Sequence, residues 1–171
     1  MRTMRARLAT VGAVAVFAGM LVAVSAGGPA VAAVPAKNAK GDRILIAPPA
    51  PASAQPAAEM GIAAVEPDTT PGVTSHPVAP GEVYTCGAGY FCPLVWNYRT
   101  NKWKVFFMYY CRWQALQNWI GDGAYLNNQI PPGGTAELQD EDRDTLAFLV
   151  VENPRRQRPW NWTPVWFIKP C

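Results

Sequence analysis

Chemistry in this chain would have to come from few side chains. Asp140, Glu141, Asp142 and Asp144 cluster, with Glu137 and Glu152 near them in sequence. Glycoside hydrolysis needs two carboxylates facing each other across a cleft in different environments. Four acids in one turn with Arg143 read instead as a solvated loop. Asp140, Asp142 and Asp144 alternate as at the start of an EF-hand loop, but Thr145 stands where glycine is needed and Val151 where the bidentate glutamate should be. The only histidine, His76, lies in a proline-rich tract away from the aromatic part of the chain. Ser-His-Asp, Cys-His and His-ligated zinc chemistry are therefore not expected. Cys86, Cys92, Cys111 and Cys171 read as oxidised pairs, not thiolate nucleophiles. The expectation is a non-enzyme with no catalytic residue, no metal ligand and no cofactor.

Recognition chemistry remains. In PRRQRPWNWTPVW, residues 154–166, Arg155, Arg156 and Arg158 stand beside Trp160 and Trp162, between prolines. Arginine and tryptophan dominate binding hot spots, and rigid aromatic rings suit stacking on sugars. Pro154 and Pro159 fix φ and push Asn153 and Arg158 toward extended angles. These residues form the expected partner-binding edge, with Trp160 as its anchor and Trp166 in the core.

The elements that must position them start at residues 86–111, which hold three of the four cysteines. Residues 90–98 and 103–110 read as two strands joined by a turn at Arg99, Thr100, Asn101 and Lys102. Cys92, Leu94, Trp96 and Tyr98 share one face by the strand period of two, as do Trp103, Val105, Phe107, Tyr109 and Cys111. Phe106, Met108 and Tyr110 make the second strand apolar on its other face too, which predicts a central strand covered on both sides. Residues 111–119 read as one helical turn or the irregular arm of a Greek key. Strands follow at 124–129, 135–139, 145–152 and 165–169, with turn signals between them.

Four cysteines allow three pairings. Cys86 with Cys92 closes a short loop containing Gly87 and Gly89, and Cys111 with Cys171 ties down the C-terminus. On a chain-entropy argument the short loop contributes about 2 kcal/mol and the long one about 4 kcal/mol. The rival is Cys92 with Cys111, which a tight turn at Asn101 and Lys102 would bring into opposition. Lysine suits the second position of such a turn poorly, so the looser turn and the first pairing are preferred.

The N-terminus carries Arg2, Arg5 and Arg7 ahead of an uncharged apolar run over 8–24 and an A-x-A site at Ala30, Val31 and Ala32. That is the pattern of a secretory signal peptide, residues 1–33, and it predicts a secreted protein with no membrane attachment after cleavage. Residues 34–80 contain nine prolines and no Phe, Trp or Tyr, and read as a disordered Pro/Ala-rich linker. Within it, Arg43, Ile44, Leu45 and Ile46 form an apolar patch that could add to a sheet edge. Residues 81–171 hold eighteen of the nineteen aromatic residues and read as one disulfide-stapled β domain, expected to be monomeric. This domain has nine Lys/Arg against eight Asp/Glu, so the basic footprint of a nucleic-acid binder is absent.

The spacing C-x-x-G-x-x-C at Cys86, Gly89 and Cys92, the aromatic hairpin ending at Cys111, Asn118-Trp119 and Asn127-Asn128-Gln129 together resemble the actinobacterial secreted metalloproteinase inhibitors over residues 86–129. The resemblance implies an all-β, Greek-key sandwich or barrel of βγ-crystallin-like fold, and an inhibitor-like function against an extracellular protease. Gly87 stands where that family usually has proline, its second closely spaced cysteine pair is missing, and Pro131-Pro132 interrupt the crystallin calcium motif. No reactive-site residue is carried over. The alternative expectation is a module that binds a cell-wall polymer or takes a structural role outside the cell.

Overall fold

The computed structural model describes residues 36–37, 41–54 and 66–171, and every regular element in it is a strand. The expected signal peptide, residues 1–33, lies outside the described residues, as does the middle of the expected linker. No described helix is long and apolar enough to cross a membrane.

The central sheet is built on the aromatic hairpin. Its strands run in the order β12 (Arg158–Asn161), β9 (Asp122–Asn127), β6 (Phe91–Asn97), β7 (Lys102–Phe106), β4 (Ser75–Val78), all antiparallel. Asn97 pairs with Lys102 and Trp96 with Trp103, which leaves a four-residue turn at 98–101 with Asn101 in the left-handed region at φ 51°. That register keeps Cys92 and Cys111 out of opposition. The disulfides are Cys86–Cys92 and Cys111–Cys171, as expected from the spacing. Two disulfides fit an oxidising compartment.

The period of two divides β6 and β7 between two cores. Cys92, Leu94, Trp96, Trp103 and Val105 pack with Leu45 and Tyr84. Phe91, Val95 and Phe106 pack with Leu116, Leu138, Leu149 and Ile168. The first core is covered by a three-stranded sheet, β1 (Ala36–Lys37), β2 (Arg43–Ile46) and β5 (Val83–Cys86). The second is covered by a five-stranded sheet ordered β11 (Thr145–Val150), β10 (Thr135–Gln139), β13 (Phe167–Pro170), β8 (Gln114–Gln117), β3 (Asp68–Thr70). The sequence expectation of a second strand covered on both faces holds for the inner part of β7, and β6, which has no exposed residue, is covered on both faces as well. Of the connections after β6, only β6–β7 and β10–β11 stay within one sheet. The rest cross between the two five-stranded sheets, the interleaving of a Greek-key sandwich. Residues 114–117 form β8, so the helical alternative for 111–119 is not realised.

The linker reading fails for residues 41–54 and 66–80. β2 pairs along β5, β3 along β8 and β4 along β7. Leu45, Ala47 and Val78 are buried in the first core. The aromatic region also holds these segments by their backbone. The Trp103 indole N–H donates to the Pro48 carbonyl at 2.8 Å and the Trp119 indole N–H to Asp68 at 2.9 Å. The Lys104 ammonium reaches the Glu66 carboxylate at 2.9 Å and the Pro67 carbonyl at 2.8 Å. Proline does not exclude such strands because β3 and β4 lie at sheet edges, where a missing N–H leaves no ladder bond unmade.

Candidate binding groove

Arg155, Arg156 and Arg158 of the expected basic edge line one small depression with Glu152, and hydrogen bonds tie two of them to the domain. The Arg155 guanidinium donates to the Asn128 side-chain carbonyl at 2.7 Å and to the Gln129 backbone carbonyl at 2.9 Å, so it clamps the loop to the domain. Burial, followed by the nearby Arg43, pushes its pKa down. Arg158 donates to Glu152 at 2.7 Å, and that hydrogen bond holds its pKa up. Arg156, 3.9 Å from Glu152, keeps an exposed side chain. Trp162 is fully buried and donates its indole N–H to the Leu94 carbonyl at 2.9 Å. It is a core residue and not part of a binding edge. Trp160 is half-buried between Tyr125 and Trp162. Trp166, expected in the core, is 45% exposed. The strand there begins only at Phe167, and Ile168 takes the inward position.

Nor does the acidic turn gather into a catalytic pair. Asp140 accepts from the backbone N–H groups of Asp142 and Asp144, and Glu137 accepts from Gln139 and Thr145. The Asn127 and Asn128 amides donate to backbone carbonyls of Gly134, Leu149, Cys86 and Gly87. These side chains organise turns and loops. Tyr84, whose phenol is pushed up by burial, donates to Gln157 at 2.7 Å and pins the same loop from the other side.

The exposed aromatic surface lies elsewhere, where β7 leaves the sheet. The Phe107 N–H turns to the Thr74 carbonyl, while Met108 pairs with Phe91 and is buried. Phe107 packs against the first core, and the chain beyond Met108 lifts off the sheet. Tyr109 and Tyr110 emerge 55% and 69% exposed. Their rings meet edge to face at 5.5 Å, and Tyr109 lies 5.1 Å from Tyr90. The Arg112 guanidinium sits 5.7 Å from the Tyr110 ring centre, within cation–π range. Val73, Tyr90, Phe107, Tyr109, Tyr110 and Arg112 line a groove of about 270 Å³. Across Tyr90 and Phe107 it continues into a depression of about 330 Å³ that holds His76, whose ring lies 5.5 Å from Phe107. The lone histidine therefore belongs to the groove and not to a spacer.

Among the described residues, neither half of the groove is lined by a carboxylate, and Arg112 is the one Lys or Arg along it. Such a lining offers ring faces, hydroxyls and a single cation. It can hold a ligand by stacking and hydrogen bonding. A sequence signal for it existed. That signal is only the run of rings itself, Phe107, Tyr109 and Tyr110 before Cys111; a strand covered on both faces, as β6 is, would bury adjacent rings, so the pattern alone does not turn them outward. Comparisons with family models, with curated proteins and with solved structures return no match for the chain.

Proposed function

We propose that the chain is a secreted, non-catalytic binding module whose aromatic groove holds an extracellular polysaccharide, such as a cell-wall glycan. The observation that carries this reading is the exposed ring cluster of Tyr90, Tyr109 and Tyr110 with Arg112 at its end. Tyrosine rings present large, stiff faces with few torsions to immobilise, and each carries a hydroxyl for the sugar's own hydroxyls. The groove adjoins a second depression across Tyr90 and Phe107, a layout that suits a chain more than a compact metabolite. The lone Arg112 favours a glycan bearing carboxylate or phosphate groups.

Retention on insoluble wall glycan, followed by titration with soluble fragments, tests it. The double change Tyr109→Ala, Tyr110→Ala should weaken binding tenfold or more, about 1.4 kcal/mol. Absence of retention, or equal retention by the double variant, removes the proposal. A proteinase-inhibitor-like protein is the second reading. It is favoured by the exposed Arg156, which a loop clamped through Arg155 and Arg158 presents with little freedom to lose. The same set of proteins separates the two. An inhibitor loses its effect on a secreted protease with Arg156→Ala and keeps it with the tyrosine changes.

A further inference from the structure

The two five-stranded sheets expose four edge strands, and three are protected against further pairing. β12 carries Arg158 and Pro159, β4 carries Pro77, and β3 carries Asp68 between Pro67 and Pro71. β11 has no such device. Its sequence, Thr-Leu-Ala-Phe-Leu-Val, contains neither a charge nor a proline. Leu146, Phe148 and Val150 on its outer face are 42%, 61% and 56% exposed. An unblunted apolar edge of this kind pairs with another strand.

We infer that β11 is a self-association edge, and that two copies of this chain join their outer sheets by antiparallel β11–β11 pairing centred on Phe148. The hydrogen-bond pattern fixes the register. The Val151 N–H bonds the carbonyl of Gly134, just ahead of β10, and Thr135 gives its carbonyl to Cys171 on the other side. By alternation, Phe148 and Val150 aim their N–H and C=O groups away from β10, toward solvent. A second β11 in antiparallel orientation meets those groups with its own when Phe148 faces Phe148. Leu146 then faces Val150 of the second copy, and all six apolar side chains fall on one face. A shift by one residue would oppose outer residues to inner ones. The ladder to β10 steps from Ala147 to Thr145 and skips Leu146, a bulge at the start of β11, so the pairing runs no further than residues 146–150.

Charge favours a second copy as the occupant. The turn entering β11 carries Asp140, Glu141, Asp142 and Asp144 around Arg143, whose guanidinium is already stacked 3.3 Å over the Phe167 ring. The segment leaving β11 carries Arg156 and Arg158 around Glu152. An antiparallel two-fold places each acidic turn beside the other copy's basic segment, and does so twice. The surface is short, which makes this a concentration-dependent dimer and not an obligate one.

Engineered cysteines test register and occupant together, using the chain recovered after export with its native disulfides closed. Phe148→Cys should form a covalent dimer with itself under mild oxidation, because directly opposed strand residues lie within disulfide reach. Leu146→Cys alone should not, while a mixture of Leu146→Cys and Val150→Cys should give the mixed dimer. Phe148→Lys, an exposed site whose change should leave the melting temperature in place, should weaken the dimer at least tenfold in sedimentation. A chain that stays monomeric at millimolar concentration overturns the inference. So does cross-linking by Leu146→Cys alone that equals cross-linking by Phe148→Cys, or a dimer indifferent to Phe148→Lys.

Discussion

Gly123 packs its backbone directly against the buried Trp162 indole. A Cβ on Gly123 would collide with both the Leu94 carbonyl and the Trp162 indole nitrogen, the two partners of the bond that anchors the tryptophan. Glycine is thus required by close approach and not by an unusual backbone angle. Gly123→Ala must either push β9 away from β6 or expel the indole from its acceptor. Overpacking of this kind costs about 1–3 kcal/mol, and a buried N–H left without its acceptor adds about 1–3 kcal/mol. Chemical denaturation of Gly123→Ala should show a loss of about 3 kcal/mol. Gly72→Ala, where a Cβ meets nothing within 4 Å, should stay within about 0.5 kcal/mol of the parent. Equal values for the two variants would show that the sheet absorbs the methyl without strain. The same close approach explains why Trp162 is unavailable to a partner despite its place in a basic, proline-flanked segment.

At the scale of elements, β2, β3 and β4 carry weight out of proportion to their length. Removing residues before 81 would strip Leu45, Ala47 and Val78 from the first core and leave the Trp103 and Trp119 indoles without acceptors. Burying a Leu or Val side chain is worth about 1.5–3 kcal/mol, and each orphaned buried donor costs about 1–3 kcal/mol. The sum is on the order of the whole stability of a small domain, about 5–15 kcal/mol. A fragment of residues 81–171 should therefore melt without cooperativity, while residues 41–171 melt in one transition. A shorter fragment melting within a few degrees of the longer one would reinstate the linker reading. Sequence could show the hairpin because β6 and β7 carry their own period-two pattern, their turn and their cysteines. It could not show β3 or β4, since strands of three or four residues at an edge have too few side chains to display a period. β2 was visible only as an apolar patch, Arg43 to Ile46, whose partner β5 lies forty residues away. The groove was hidden for a related reason. Tyr109 and Tyr110 extend an apolar strand pattern, and only the departure of the chain from the sheet after Phe106 turns them outward.

Across the whole molecule, the two disulfides do different work. Cys86 and Cys92 are fully buried inside the first core, while Cys111 and Cys171 are exposed. The exposed bridge joins the end of β13, in the outer sheet, to the segment that rises from the central sheet and carries Tyr109, Tyr110 and Arg112. It therefore adds a covalent tie between the rim of the groove and the outer sheet, which also reaches the rim through Gln114 of β8. Its partners are 60 residues apart in sequence, and cross-linking such a loop contributes about 4 kcal/mol by chain entropy. The buried pair, separated by 6, contributes about 2 kcal/mol. A mild reductant should open Cys111–Cys171 first, since thiolate attack needs access to a sulfur. The double variant Cys111→Ser, Cys171→Ser should remain folded at 25 °C, lose about 4 kcal/mol in denaturant titration, and exchange amide hydrogens faster over residues 107–112. If the tyrosine rim is the binding surface, glycan affinity should fall with it, because the rings must then be ordered at the moment of binding. Unchanged exchange over 107–112 would mean that the bridge secures only the C-terminus and that Met108, buried against Phe91, is enough to hold the rim in place.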